Sequence, residues 1–304
     1  MTTFQLRPIL YFALLSCALA WLIALPVWLA GGLQHRLFPV IGAVMMGTPA
    51  LAAVIISRFT EPTARLRDSL GLSGWRPLRR TVMYCVVALL ASLLIVLVSL
   101  VVGSALGYYR FDVIHFSGLQ EMLQAKLAGN KEALAALPSI GVVAAISIVQ
   151  IVIATPFVAV LALGEEIGWR GWLLPKLMPL GTIPALIISG VIWGLWHAPL
   201  VLLGYNYGST PGWLALLCMS AMCMAVGSVL AWFRLRSGSV WPAALGHAAI
   251  NTGVALLFIL GAAGQNLDMT QVSPLGWSGW IFPAVLAFIL FRFAKRPHGP
   301  SPQF

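Results

Sequence analysis

Charged side chains are scarce in this sequence, and acidic ones are the scarcest. Only 9% of the 304 residues are charged, and just eight are Asp or Glu, whereas a soluble domain carries roughly 25% charged residues. Hydrophobic residues make up 60% of the chain, and the mean hydropathy is +0.95. So few polar groups cannot cover a water-soluble exterior, and the composition therefore indicates an integral membrane protein.

Cysteine is also rare, and several catalytic motifs are missing. The four cysteines lie in apolar runs without a CxxC pair, so neither a disulfide framework nor a cysteine zinc site is expected. The sequence contains no GxSxG, HExxH or P-loop motif, and it gives no support to the chemistries that depend on them. The net charge of +10 does not predict nucleic-acid binding, because the basic residues lie mostly in short loops between apolar runs.

Eight apolar runs are long enough to span a membrane, which takes about 20 residues. They cover residues 9–30, 38–57, 81–106, 139–163, 182–203, 212–233, 240–261 and 276–293. We predict an all-α, polytopic bundle of about eight transmembrane helices, forming a single integral membrane domain over residues 1–304 with a motif-bearing core at about 139–261. The polar segment 107–138 is predicted to be extracytoplasmic or interfacial, with amphipathic helices within residues 119–137.

Loop charges predict the orientation of the chain. With a cytoplasmic N terminus and eight spans, 14 of the 18 Lys and Arg residues fall on the cytoplasmic side. The other four are Arg36, Arg110, Lys126 and Lys131. The positive-inside rule then places both termini in the cytoplasm. The expected location is a multi-pass protein of a bacterial cytoplasmic membrane.

Few ionisable side chains fall within the predicted spans. Glu165 and Glu166 lie at the end of the fourth, His197 in the fifth and His247 in the seventh. An Asp in a bilayer costs about 2.5–3.5 kcal/mol on insertion scales, and such groups usually face a bundle interior or a water-filled cavity. We therefore expect these four residues to have a function.

The first motif is GEEIGWR, residues 164–170. Glu166 and Arg170 are four residues apart on one helical face, which favours an ion pair and leaves Glu165 to act as a general base. An ion pair that only anchors a helix end is the structural alternative, but it does not explain the second glutamate. We expect the fourth span to continue past Glu165 to Leu174, which places the pair deeper in the membrane.

The second motif is WGLWHAP, residues 193–199. Trp193 and His197 share a helical face, so the indole is predicted to pack beside the imidazole. Pro199 predicts a kink nearby, and Gly190 with Gly194 predicts a close helix contact. A core histidine bonded to a backbone carbonyl is the structural alternative for His197.

The third motif places His247 and Asn251 on one helical face. Hydrogen bonding between membrane helices is the structural alternative here. The three motifs together are stronger evidence of a functional site than any one of them alone. A glutamate with a histidine can deprotonate a water or bind a metal, and a histidine with an asparagine can donate to a developing oxyanion.

The order EExxxR, aromatic-xxx-His and HxxxN on successive spans resembles the CAAX protease and bacteriocin-processing (CPBP) family. Its members are intramembrane endopeptidases and include the type II CAAX prenyl endopeptidases and Abi-like proteins. The resemblance covers about residues 155–255, and it implies a water activated by Glu165 and His197 and an oxyanion stabilised by His247 and Asn251. The second motif usually begins with Phe, where this chain has Trp193.

The resemblance also implies a cofactor alternative and a class of partner. Several members of the family are called metalloproteases, and on that alternative Glu165, His197 and His247 would hold a zinc ion with a position open for water. Glu166 and Arg170 match the family's motif as further site residues. The implied substrate is a membrane-associated protein or peptide at the lipid bilayer, lipidated in the CAAX type.

We therefore predict an intramembrane endopeptidase with a cavity open to the cytoplasm. A proton-coupled membrane transporter is one alternative, because buried Glu, Arg and His also form proton relays. A non-enzymatic membrane scaffold or immunity protein is another.

Overall fold

The computed structural model describes residues 4–73, 77–127 and 130–293. Arg76, Lys295 and Arg296, which contribute to the predicted cytoplasmic charge, lie outside the described residues. Within those residues the regular structure is helical throughout, and β-structure is limited to a single bridge between Phe111 and Gly261.

The helices follow one another along the described chain with short connections. They are α1 (Leu6–Leu29), α2 (Phe38–Met46), α3 (Thr48–Thr60), α4 (Leu66–Ser69), α5 (Leu78–Ala105), α6 (Ser117–Lys126), α7 (Lys131–Ala135), α8 (Ile140–Glu166), α9 (Leu174–Leu177), α10 (Thr182–Trp196), α11 (Ala198–Val201), α12 (Gly212–Ser237), α13 (Trp241–Gly253), α14 (Leu256–Ile259) and α15 (Trp277–Phe293). A π-helical segment, Ile167–Leu173, joins α8 to α9, and 3-10 turns cover Gly32–Gln34 and Met178–Leu180.

Six helices of the described chain are long and apolar enough to cross a membrane. They are Leu6–Leu29, Phe38–Thr60, Leu78–Ala105, Ile140–Leu180, Gly212–Ser237 and Trp241–Ile259. Two shorter apolar helices, Thr182–Trp196 and Trp277–Phe293, lie where the fifth and eighth spans were predicted. The prediction of an all-α polytopic bundle is confirmed, and the protein is an integral, multi-pass membrane protein.

The fourth span is much longer than its apolar run. Helical structure continues from Ile140 without a break through Glu166 and on to Leu180. The prediction that this span extends past Glu165 is confirmed. As a result, both glutamates lie well inside the helical segment, with Leu173 and Leu174 fully buried beyond them.

Glycines allow the site-bearing helices to approach one another closely. A Cβ at Gly194 would lie 2.4 Å from the Cα of Ser220, and one at Gly190 would lie 2.6 Å from the Cα of Met224. Both neighbours belong to α12, so the predicted close contact through Gly190 and Gly194 is confirmed. α10 can pack this tightly on α12 because neither glycine has a side chain.

Contacts between connecting segments define two ends of the bundle. At one end, the Val240 N–H donates to the Gly71 carbonyl and Arg80 donates to the Arg236 carbonyl. We call this end, where α1 begins and α15 finishes, the terminal face. At the other end, the distal face, segments 30–37, 106–127, 130–139, 202–211 and 260–276 meet. The Phe111–Gly261 bridge lies there.

The polar segment between the third and fourth spans folds onto the distal face. It contains α6 and α7, in the region where amphipathic helices were predicted. The Asp112 N–H donates to the Leu260 carbonyl, the Gly118 N–H donates to the Gly261 carbonyl, and Leu119 is fully buried. The segment is thereby attached to the chain that follows α14; its placement at a membrane interface stays a prediction.

Candidate active site

Glu166 is the centre of a buried polar cluster. Its Oε1 accepts a 2.8 Å hydrogen bond from Nη1 of Arg170 and lies 2.9 Å from Nδ1 of His247. The predicted Glu166–Arg170 ion pair is confirmed, and both side chains are buried. Since a carboxylate oxygen accepts, Nδ1 of His247 carries the proton. Glu166 thus connects the first motif to the third, which the sequence spacing alone did not show.

Glu165 stands outside this ion pair, as predicted, but it has a partner of its own. Its Oε2 accepts a 2.7 Å hydrogen bond from the indole N–H of Trp193. Adjacent positions on a helix point about 100° apart, so the two carboxylates reach different neighbours. Glu165 is nearly buried, yet it lines a cavity. It is therefore a carboxylate with one oxygen fixed by the protein.

Trp193 contacts three further side chains around the cluster besides Glu165. The Arg170 guanidinium lies 4.1 Å from the centre of its ring, and the His247 ring is 5.2 Å away, edge to face. The His197 ring is 5.9 Å away, which confirms the predicted packing of indole beside imidazole. Arginine stacked on a buried tryptophan is a favourable contact. Besides the predicted packing, Trp193 donates a hydrogen bond to Glu165, which the sequence spacing did not predict.

His197 lies where α10 ends. It is the last residue before α11, and the helical interruption precedes Pro199, as that proline predicted. Its Nδ1 lies 2.9 Å from the Trp193 carbonyl oxygen, which can only accept. Nδ1 therefore carries the proton of the neutral ring, and Nε2 keeps its lone pair. The structural alternative of a carbonyl-bonded histidine is correct for one nitrogen and leaves the other for chemistry.

A cavity of about 480 Å³ collects the remaining candidates. Its lining includes Glu165, His197, His247 and Asn251, together with Trp193. The structure thus brings residues of all three motifs to one space, while Glu166 and Arg170 lie buried behind it. Asn251 is exposed, one helical turn beyond His247 on α13.

The walls of the cavity are apolar and rich in methionine. Met45 and Met46 come from α2, and Met219 and Met222 come from α12. Methionine side chains are flexible and adapt to irregular apolar partners. The cavity therefore suits an apolar guest more than a charged one.

Tyr205 is a further lining residue that the sequence analysis did not identify. It lies in segment 202–211 at the distal face and lines the same cavity. Burial raises the pKa of its phenol, and the Glu165 carboxylate raises it further. The group therefore stays protonated at neutral pH and can donate a hydrogen bond within the cavity.

The π-helical segment closes the cluster towards the terminal face. Trp169, Arg170, Trp172 and Leu173 all lie in it and are at most 2% exposed. π-helical turns inside α-helices often occur at functional sites. Gly168 makes this packing possible, because a Cβ there would lie 2.4 Å from Cβ of Pro49. Nothing in the sequence pattern indicated the π-helical turn.

A second cavity, of about 490 Å³, lies at the terminal face. Trp172, Lys176 and Arg234 line it, and Glu61 forms an ion pair with Lys176 there. The two cavities share no lining residue. The π-helical segment lies between them.

The predicted zinc ligands are Glu165, His197 and His247. Among the side chains that the structure describes, no group of three His, Cys, Asp or Glu is placed to hold a metal ion. Glu165, His197 and His247 line one cavity without forming such a group. The zinc alternative stays a prediction.

The fold and the site define an integral membrane protein with a buried Glu–Arg–His cluster beside an apolar cavity. Residues 144–253 match the family model described as "Type II CAAX prenyl endopeptidase Rce1-like". A stretch of 133 residues is 29% identical to "CAAX prenyl protease 2" of Methanococcus maripaludis, covering 42% of this chain and 45% of that protein. The resemblance inferred from the three motifs is therefore confirmed over the region that carries them.

Proposed function

We propose that this protein is an intramembrane endopeptidase that hydrolyses a peptide bond of a membrane-associated protein or peptide. One observation carries the proposal: Glu165 and His197, whose Nε2 keeps its lone pair, line the same cavity as His247 and Asn251. The match to a prenyl endopeptidase family over residues 144–253 supports the same class of reaction.

Glu165 and His197 would activate the attacking water. The Trp193 N–H fixes Oε2 of Glu165, and the backbone carbonyl of Trp193 fixes the tautomer of His197. The pair can take a proton from water as its oxygen bonds to the peptide carbon. The same proton then passes to the leaving amine as the C–N bond breaks, which yields a carboxylate and an amine.

His247 and Asn251 would stabilise the oxyanion. The Asn251 amide can donate directly, and Nε2 of His247 can donate when the ring carries its second proton. Glu166 accepts from Nδ1 of His247 and so orients the ring. Arg170 balances the charge of Glu166, so the cluster can hold two glutamates in an apolar interior.

The substrate class follows from the cavity. Its methionine-rich walls suit an apolar peptide segment. The relative from Methanococcus maripaludis is named as a prenyl protease. We propose that the substrate of this protein is also prenylated, which a matched pair of prenylated and unprenylated peptides tests directly.

The deciding experiment is peptide cleavage by the full-length protein in proteoliposomes. Glu165→Gln and His197→Ala should each lower turnover by about 100-fold or more, in the range of general acid–base contributions, without loss of folded protein. Glu132→Gln and His115→Ala are matched controls on exposed residues of the polar segment 107–138, and both variants should cleave the peptide normally. Undiminished cleavage by both site variants would sink the assignment.

Cleavage measured after chelation tests whether the reaction needs a metal ion. Loss of cleavage that added zinc restores would support Glu165, His197 and His247 as ligands, whereas cleavage that survives exhaustive chelation would support activation of water by the side chains alone. Binding of zinc measured on the Glu165→Gln variant would show whether that carboxylate takes part.

The alternative functions predict different results in these experiments. A proton-coupled transporter would move solute or protons across sealed vesicles and leave every peptide intact. A scaffold or immunity protein would retain its cellular effect in Glu165→Gln. The same vesicles and variants therefore discriminate all three hypotheses.

A further inference from the structure

Eight of the side chains that line the site cavity carry a polar group. They are Glu165, Trp193, Trp196, His197, Tyr205, Asn206, His247 and Asn251. The proposed reaction uses the glutamate, the two histidines and Asn251, while the two indole N–H groups donate to Glu165 and to Thr48. Tyr205 and Asn206 have no part in these arrangements, and they are adjacent in the sequence.

A tight turn holds Tyr205 and Asn206 in the cavity wall. The Tyr205 N–H donates to the Leu200 carbonyl, and the Gly208 N–H donates to the Gly204 carbonyl. Gly204, Asn206 and Gly208 all have positive φ, at +94°, +69° and +56°. Glycine adopts this conformation freely, and asparagine does so more readily than most residues. A Cβ at Gly204 would lie 2.7 Å from the Gly208 carbonyl oxygen, so the turn is closed and fixes where the two side chains are attached.

The side chains of Tyr205 and Asn206 form no hydrogen bond with any other residue that the structure describes. Both residues are half-buried, and the Tyr205 ring packs edge to face against Phe38, with ring centres 5.7 Å apart. Tyr207 of the same turn differs, because its hydroxyl donates to the Leu275 carbonyl. A polar group that lines an apolar cavity without an internal bond is available to a bound guest.

A peptide in this cavity needs polar partners for its main chain. Each of its residues has an N–H and a C=O group, and these lose their bonds to water when the peptide enters. The apolar side chains of the wall supply no donor for the carbonyls. The Tyr205 hydroxyl can donate, and the Asn206 amide can donate and accept at once. Burial raises the pKa of the phenol, which therefore keeps its proton at neutral pH.

We propose that Tyr205 and Asn206 form a backbone-binding site, which holds the substrate peptide by hydrogen bonds to its main chain next to the bond that is cut. The Tyr205 hydroxyl donates to one carbonyl, and the Asn206 side chain pairs with the N–H and C=O groups of one residue. This inference rests on the proposed peptidase function for the reaction, while the binding is measured apart from cleavage. Because every peptide has the same main-chain groups, the site accepts different side chains and favours an extended peptide.

Peptide binding to an inactive protein tests the proposal. The background is full-length Glu165→Gln, and the probes are the matched prenylated and unprenylated peptides, each with a fluorophore. Tyr205→Phe removes only the hydroxyl, and Asn206→Gly removes the amide while it tolerates the positive φ. Tyr207→Phe is the matched control from the same turn, because its hydroxyl bonds to the chain and Tyr207 does not line the cavity. Thermal unfolding in detergent shows which variants are folded.

Tyr205→Phe and Asn206→Gly should each weaken peptide binding about threefold to tenfold, the usual effect of one neutral hydrogen bond. Tyr207→Phe should bind like its parent. With Glu165 restored, the same two substitutions should raise KM by similar factors and leave kcat nearly unchanged, since the bonds form equally before and during the reaction. Unchanged binding in both variants, or a loss confined to kcat, would overturn the proposal. If Asn206→Gly does not fold, Tyr205→Phe decides by itself.

An ester scan of the peptide shows whether the contact is with the main chain. Replacing one N–H by an ester oxygen removes a donor and weakens the adjoining carbonyl as an acceptor, and it changes no side chain. Glu165→Gln should lose affinity for an ester at one position beside the cut bond, and adding Asn206→Gly should cause little further loss there, because the two changes remove the same interaction. Equal ester losses with and without Asn206→Gly at every position would contradict the pairing of Asn206 with the main chain.

Binding and cleavage together separate this inference from the proposed function. Binding that depends on Tyr205 and Asn206, without cleavage by the wild type, supports the backbone-binding site and counts against the peptidase. Cleavage by the wild type that both variants reproduce with the same KM supports the peptidase and refutes the backbone-binding site. If the protein neither binds nor cleaves either peptide, both proposals are wrong.

Discussion

The indole N–H of Trp193 donates a 2.7 Å hydrogen bond to Oε2 of Glu165. The two residues lie on different spans, and both are buried or nearly so. The donor fixes one oxygen of the carboxylate, and Glu165 also lines the site cavity. A phenylalanine, the usual residue of the resembling family at this position, has no N–H to offer. Trp193 therefore makes a polar contact as well as aromatic ones.

Trp193→Phe should keep the fold and lower peptide cleavage. The substitution removes a hydrogen bond to a charged group, which contributes about 1.5–3 kcal/mol, so we expect roughly a 10- to 100-fold loss of turnover. Trp232→Phe is the matched control, since its indole donates a 3.1 Å hydrogen bond to the Leu290 carbonyl away from the cavity. Equal losses in the two variants would show that the effect is one of general packing.

Arg170→Ala should destabilise the protein and abolish activity together. Removal of the guanidinium leaves Glu166 charged and buried, and breaking a buried ion pair in this way costs about 3–5 kcal/mol. The loss of the contact with the Trp193 ring adds to this. Thermal unfolding in detergent measures the stability, and proteoliposome cleavage measures the activity.

A double variant separates charge from catalysis at this position. Glu166→Gln combined with Arg170→Met removes both charges, so much of the lost stability should return. The activity should stay low, because His247 loses the carboxylate that orients it. A single Arg170→Ala variant that is stable but inactive would instead assign Arg170 a direct role in the reaction.

Gly168→Ala should disturb the π-helical segment. Its Cβ would lie 2.8 Å from backbone atoms of Pro49, and overpacking of this kind costs about 1–3 kcal/mol. Gly141→Ala is the control on the same span, because a Cβ there meets nothing within 4 Å; it should leave the unfolding temperature unchanged or slightly raised. A harmless Gly168→Ala would show that the helix can shift away from α3 without cost.

The sequence predicted the helices well because apolar length is what a bilayer requires. The continuation of the fourth span past Glu165, predicted as far as Leu174, followed from the run Trp172-Leu173-Leu174, and the helical segment ends at Leu180. The broken helix at His197 followed from Pro199. In each case the prediction depended on a few residues that are adjacent in the sequence. Such a prediction does not require knowledge of which helices pack against each other.

The partners within the site could not be predicted in the same way. The bonds from Trp193 to Glu165 and from His247 to Glu166 join residues 28 and 81 positions apart, and they depend on how the helices rotate against each other. The π-helical turn arises where Gly168 and Gly171 press against Pro49 and Leu70. The catalytic roles of the site residues stay predictions.

Asp112 makes the attachment of the polar segment 107–138 to the chain after α14 sensitive to acid. The Ser117 hydroxyl and the His115 N–H donate to its carboxylate and lower the pKa of Asp112 to about 2. A carboxyl with a lowered pKa stabilises the folded state above its unfolded pKa of about 3.9, and that contribution is lost as the pH falls towards 2. Between pH 5 and 8 this group should cause no change.

Hydrogen exchange of residues 112–118 in proteoliposomes checks this expectation. The wild-type protein should exchange slowly at pH 5 and, after correction for the intrinsic rate, faster near pH 2.5. Asp112→Asn should already show the faster exchange at pH 5, because the amide is neutral and accepts more weakly than a carboxylate. Asp268→Asn is the control for a distal acid, since its bonds go to Thr270 and Gln271 and not to this segment. Identical exchange in wild type and Asp112→Asn would show that the backbone bonds to Leu260 and Gly261 hold the segment by themselves.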